Sequence, residues 1–182
     1  MNNIMIDIET LGRKPGCVVL SIGAVYFDPR TGETGPEFYE EISLKDSLKN
    51  GYTIDPETLQ WYASEGLTMP VHGTRMLPDV LNELKRFVMA PNTPLGELAN
   101  SKGNDPIIWA NSPAFDLEIL SYAYGQCGWT ESPWQYWNVR DVRTLVKVAG
   151  IDKTNRYNTH NALMDCKNQI SWVVDAFKKY NF

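Results

Sequence analysis

The chain has 182 residues, 43% hydrophobic and 21% charged, which fits one folded domain over 1–182 and excludes disorder as its main state. Its 17 basic and 22 acidic residues leave a net charge of −5, which speaks against a broadly basic phosphate-binding face. If four carboxylates hold divalent cations, however, the rest of the chain carries about one net negative charge, so charge alone excludes little.

The N-terminus has no basic region and its short apolar run is cut by Asp7, so no secretory signal is expected and the expected location is cytoplasmic. Asn3 to Glu9 reads as a short buried strand. Cys17 to Phe27 reads as a longer one, with Val18, Leu20, Ile22, Ala24 and Tyr26 sharing a face. At 11 residues this is the longest nearly apolar stretch; a membrane span needs about 20, so no membrane partner is expected. Gly12, Lys14, Pro15 and Gly16 mark the turn between the two strands, and 28–32 marks a second turn leading to a strand over 36–42.

Helical patterns follow. Asp55 and Pro56 can start a helix through Glu65, and Leu77 to Met89 carries an apolar stripe. The irregular segment 90–105 separates these from a short strand, Ile107 to Ala110, and a helix over 113–124 capped by Asn111 or Ser112. Asp141 to Val148 and Asn161 to Lys179 read as the last two helices, with Thr159 as candidate cap of the second. A β-meander followed by alternating strand and helix implies a mixed sheet with helices on its faces. Cys17, Cys127 and Cys166 are odd in number with no C-x-x-C spacing, so reduced, mostly packed thiols are expected.

Two acids at i and i+2 in a strand, Asp7 and Glu9, point to one face. Either a cation or a proton offsets their repulsion, or one of them faces solvent at the strand end. Asp116 falls near the start of a helix that follows a buried strand, at the sheet edge where α/β ligand sites collect; the helix dipole alone also favours an acid there. His160 precedes Asp165 by five residues, about 140° off-face on a continuous helix, so both reach one site only if His160 lies at or before the helix start. His72, between Pro70 and Gly73, reads as a surface or packed residue.

The segments Asp7-Ile8-Glu9-Thr10, Asn111-x-x-x-Phe115-Asp116-x-x-x-Leu120 and His160-x-Ala162-x-x-Asp165 resemble, in order and spacing, the three motifs of the DEDDh (DnaQ-like) 3′-5′ exonucleases. The strand Val19 to Val25 is similar to the second strand of that family, and the resemblance covers most of the chain. It implies an RNase H-like α/β fold with a mixed five-stranded sheet and flanking helices. It also implies that Asp7, Glu9, Asp116 and Asp165 hold two divalent cations, Mg²⁺ or Mn²⁺, with His160 as general base. Oxygen-only ligands suit those metals, and histidine is the side chain fitted to take a proton from water near neutral pH. Thr10, Leu11 and Gly12 are expected to line the pocket for a terminal nucleotide, with Leu11 as an apolar wedge. Asn111 and Phe115 are expected as substrate-side or packing residues, packing above all for Phe115.

Asp141 reads as a helix cap or a supporting group. Trp61, Tyr62, Trp134, Tyr136 and Trp137 are candidate stacking surfaces, most of them expected in the core. Arg13, Lys14, Lys102, Arg140, Arg143 and Arg156 are candidate phosphate contacts. The leading expectation is a metal-dependent 3′-5′ exonuclease releasing 5′-nucleoside monophosphates from single-stranded or 3′-overhang RNA or DNA. A homodimer is a family-level expectation. A polymerase proofreading subunit fits less well, with 17 residues after Asp165. The alternatives are an RNase H-type endonuclease, which the histidine spacing disfavours, and a non-catalytic nucleic-acid-binding module, which would be expected to have lost a ligand.

Overall fold

The computed structural model describes residues 1–89, 105–153 and 160–181. Most of the irregular segment 90–105 lies outside the described residues, as do Lys102, Arg156 and Thr159. Six helices are named: α1 (Leu44–Lys49), α2 (Pro56–Ser64), α3 (Leu77–Met89), α4 (Asp116–Gln126), α5 (Val142–Ala149) and α6 (Ala162–Tyr180). The strands β1 (Asn3–Thr10), β2 (Val19–Phe27) and β3 (Thr34–Glu41) form the antiparallel meander. Strands β4 (Ile107–Ala110) and β5 (Val139–Asp141) join in parallel beyond β1, giving the sheet order β3-β2-β1-β4-β5. This is the mixed five-stranded α/β architecture that the motifs imply.

Alternation along β1 divides the core. Ile4, Ile6 and Ile8 enter a cluster with residues of α3 and α4, while Met5 enters one with residues of α5 and α6. Asp7 and Glu9 continue the Met5 side, so the sheet's pleat turns both acids toward α6. All nine residues of β2 are buried, as expected of a strand paired on both edges and covered on both faces.

Several boundaries differ from the sequence reading. Residues 113–115 form a turn closed on the Ser112 carbonyl, which accepts from the N–H groups of Phe115 (2.8 Å) and Asp116 (3.0 Å), so the fourth helix begins at Asp116 and neither Asn111 nor Ser112 caps it with a side chain. The cap of α6 is Asn161, whose side chain accepts from the Met164 N–H. The short elements α1 and β5 and a 3₁₀ turn over Tyr136–Asn138 carry too few residues to show a period. Asp55 caps α2 and Asp141 caps α5, both as read from the sequence. The three cysteines are free thiols, Cys17 and Cys166 buried. Among the described residues, no helix is long and apolar enough to cross a membrane.

One close approach positions the last helix. Gly23 pairs with Asp7 across β1 and β2, and a Cβ built on it would lie 2.4 Å from the Ala162 carbonyl carbon and 2.5 Å from the Leu163 nitrogen. The missing side chain lets the first turn of α6 seat directly on β2. The Cys166 thiol then donates to the Gly23 carbonyl at 3.4 Å, in the same turn as Asp165. Gly23→Ala is therefore expected to destabilise the fold by about 1–3 kcal/mol through overpacking against backbone that cannot yield. Urea unfolding measures the loss, and an unchanged midpoint would show that the helix is not seated by this contact.

Candidate active site

Three elements deliver four acids to one cavity of about 550 Å³: β1 supplies Asp7 and Glu9, the start of α4 supplies Asp116, and the first turn of α6 supplies Asp165. Glu9, Asp116 and Asp165 are buried and Asp7 is half-buried. His160 also lines the cavity, immediately before the Asn161 cap and therefore off the helix, as its spacing from Asp165 requires. Its backbone has φ 49°, in the left-handed region that non-glycine residues seldom adopt. Its ring meets Trp61 edge-on with centroids 5.0 Å apart, and Tyr62 at 6.4 Å. One donor atom from each of Glu9, His160 and Asp165 lies within 4.8 Å of the other two.

Burial and mutual repulsion dominate the electrostatics. Burial, reinforced by the charges of Asp116, Glu9 and Asp165, pushes the Asp7 carboxyl well above its ordinary range, although Gln169 opposes this by donating to Asp7 Oδ1 at 2.7 Å. Burial raises Glu9 to about 7, against the hydroxyl of Tyr62, which donates to Glu9 Oε2 at 2.8 Å. Asp116 is raised by burial to about 7, moderated by backbone hydrogen bonds from Ser112, Asp116 and Ile8 and by the charge of Arg143. Such a cavity favours positive charge in its midst.

The supporting groups are only partly legible beforehand. Gln169 lies four residues after Asp165 on one helical face, a spacing that could have identified it; nothing in the sequence links Tyr62 to Glu9, 53 residues away. Thr10, Gly12, Asn111 and Phe115 line the cavity, and Phe115 also packs against the core. Leu11 does not line it. It is 1% exposed and packed with Val18, Leu20 and Tyr62, so it cannot serve as a wedge. Its N–H donates to the Val18 carbonyl (2.9 Å) and its carbonyl accepts from the Asp55 N–H (2.7 Å), while Val18 and Thr53 bond at 2.9 Å, lacing the 11–18 loop to the segment before α2.

Of the aromatic candidates, Tyr62 and Trp134 are buried, whereas Trp61, Tyr136 and Trp137 are exposed rather than in the core; Trp61 and Tyr62 line the cavity. Arg13 and Arg143 line it too, but Lys14 and Arg140 do not, the latter donating to the Trp137 and Val139 carbonyls. His72 lies away from the cavity lining.

The model of the 3′-5′ exoribonuclease Rv2179c-like domain matches residues 2–177. No curated protein matches the chain. Among solved structures, E. coli Exonuclease I in complex with a dT13 oligonucleotide is similar with a TM-score of 0.68 at 12% identity, over 98% of this chain and 41% of that one. The nuclease domain of 3′hExo, a DEDDh family member bound to rAMP, is similar with a TM-score of 0.63 at 12% identity, over 97% of this chain and 91% of that one. S. pombe Pop2p, in its Mg²⁺ and Mn²⁺ bound form, is similar with a TM-score of 0.60 at 12% identity, over 99% and 84% of the two chains. These likenesses establish a shared fold.

The raised carboxyls predict a pH dependence of stability. In the folded protein Asp7, Glu9 and Asp116 keep protons that the unfolded chain, with carboxyl values near 4, has already released. Their contribution to stability is full below about pH 4 and is lost as pH rises through the folded values, about 7 for Glu9 and Asp116. In chelator, the denaturation midpoint is expected to fall between pH 4 and 8 less steeply in Glu9→Gln and Asp116→Asn than in the wild type. Equal slopes in all three would disprove the assignment.

Proposed function

Because the chain belongs to the Rv2179c-like 3′-5′ exoribonuclease domain family, we propose that it removes 5′-nucleoside monophosphates stepwise from the 3′ end of single-stranded or 3′-overhang nucleic acid, with RNA as the substrate that the family points to. The observation that carries this reading is the convergence of Asp7, Glu9, Asp116, Asp165 and His160 on one cavity.

The donor set fits divalent cations. Four carboxylates offer hard oxygen ligands, three of them are held by burial at protonation values that a nearby cation would lower, and this chemistry suits two Mg²⁺ or Mn²⁺ ions. Asp7, Glu9, Asp116 and Asp165 would hold such ions, which would supply charge stabilisation to a phosphodiester undergoing hydrolysis. Gln169 and Tyr62 fix the orientation of Asp7 and Glu9 by hydrogen bonds. His160 accepts a proton from the attacking water as its oxygen bonds to phosphorus and the bond to the upstream 3′ oxygen breaks; that oxygen takes a proton from solvent to become the new 3′-hydroxyl, and the phosphate stays on the released nucleotide. The edge of Trp61 against the imidazole restricts its orientation. A homodimer belongs to the same reading.

A second reading has one supporting observation. The His160 ring nitrogen lies close enough to Glu9 and Asp165 to share a cation with them, which would make it a ligand rather than a base.

Chelation with EDTA is expected to abolish hydrolysis of end-labelled RNA, and Mg²⁺ or Mn²⁺ to restore it; full activity in metal-free protein would refute the metal-dependent reading. His160→Ala is expected to lower kcat by about 10²–10⁴ while metal affinity, read by titration calorimetry, stays near wild type. Parallel loss of affinity would make His160 a ligand, and near wild-type turnover would remove it from the mechanism. Matched RNA and DNA time courses decide between the two polymers.

A further inference from the structure

Two arginines line the cavity, and their surroundings differ. Arg13 is held in ion pairs by Asp55 and Glu57, so its charge is already compensated. Arg143, in the first turn of α5, has no carboxylate within ion-pair distance among the described residues. The nearby Asp141 carboxylate is occupied as the helix cap, accepting from the Arg143 N–H at 2.9 Å and the Thr144 hydroxyl at 2.7 Å.

A second cation touches the cavity wall at Asn111. Lys153 Nζ lies 3.4 Å from Asn111 Oδ1, on a residue that lines the same cavity, and 4.5 Å from the centre of the Trp172 ring. Burial and the charge of Arg143 both lower the Lys153 ammonium, so the two cations are held at mutual cost, which Asp141 only partly offsets. An anion placed between such groups relieves that repulsion, and a guanidinium presents paired donors matched to a phosphate.

The exonuclease reading, on which this inference rests, narrows which anion it is. A 3′-terminal nucleotide carries one phosphate, the scissile one, and that phosphate belongs with the four carboxylates and their cations. Every other phosphate of the strand lies upstream. The geometry points to Arg143, supported by Lys153 beside Asn111, as the group that holds the phosphodiester next upstream of the scissile linkage. This contact anchors the strand one linkage upstream of the carboxylates and so helps to hold the scissile linkage against them.

The test uses a short 5′-hydroxyl RNA with one charge-neutral methylphosphonate linkage, placed at a 2′-deoxynucleotide, with the matched 2′-deoxy phosphodiester as reference. Neutralising the second linkage from the 3′ end is expected to cost the wild type about tenfold in kcat/KM, mostly in KM, whereas neutralising the fourth costs little. Arg143→Gln is expected to lose a similar factor on the reference strand and to be indifferent to the second-linkage change, with Lys153→Met intermediate. Thermal unfolding checks that the variants are folded, and fluorescence anisotropy in Ca²⁺ reads the same contact without turnover. A wild type indifferent to the second linkage, or an Arg143→Gln variant as sensitive as the wild type, overturns the inference while leaving the exonuclease intact. Failure of the wild type to shorten the reference strand in Mg²⁺ or Mn²⁺ overturns the exonuclease reading and this inference with it.

Discussion

The structure is organised around the repulsion among carboxylates gathered in one largely buried cavity. Asp7, Glu9, Asp116 and Asp165 come from three elements far apart in the sequence, and their proximity is unfavourable in water-poor surroundings. Neutral donors moderate this at three of the four acids. Gln169 serves Asp7, Tyr62 serves Glu9, and backbone amides serve Asp116. Neutral donors orient the acids without cancelling their charge, so the cavity keeps its capacity for cations.

The rest of the fold makes that gathering possible. The pleat of β1 turns Asp7 and Glu9 toward α6 while Ile4, Ile6 and Ile8 anchor the opposite face. The bare backbone of Gly23 admits the first turn of α6 beside Asp7, and the turn closed on Ser112 presents Asp116 from the end of β4. Core packing thus sets the distances among the acids, and the acids themselves contribute little to holding the fold together.

The sheet was largely legible in the sequence because its strands follow simple rules. β1 and β4 are short apolar runs between turn residues, and α3 carries an apolar stripe at helical spacing. β5 spans three residues with no period to read, and it forms through backbone pairing with β4. Pro113 is a fitting first residue for a helix, yet residues 113–115 are taken by a turn closed on the Ser112 carbonyl. In the site, the acids and His160 stand out by charge and spacing and Gln169 shares a helical face with Asp165, whereas nothing local ties Tyr62 to Glu9. Leu11 reads as an apolar wedge until Val18, Leu20 and Tyr62 are brought against it, and no local pattern foretells that contact.

The lacing of the 11–18 loop to the segment before α2 has a dynamic consequence. Leu11, Val18, Thr53 and Asp55 share backbone hydrogen bonds, Arg13 reaches across to Asp55 and Glu57, and Leu11 packs under Tyr62. A loop bound in this way cannot fray by itself, because opening it breaks bonds on both segments and uncovers buried apolar surface. This wall of the cavity therefore behaves as one cooperative unit with α2, and its amide hydrogens exchange with solvent at the pace of that unit rather than at the pace of a surface loop.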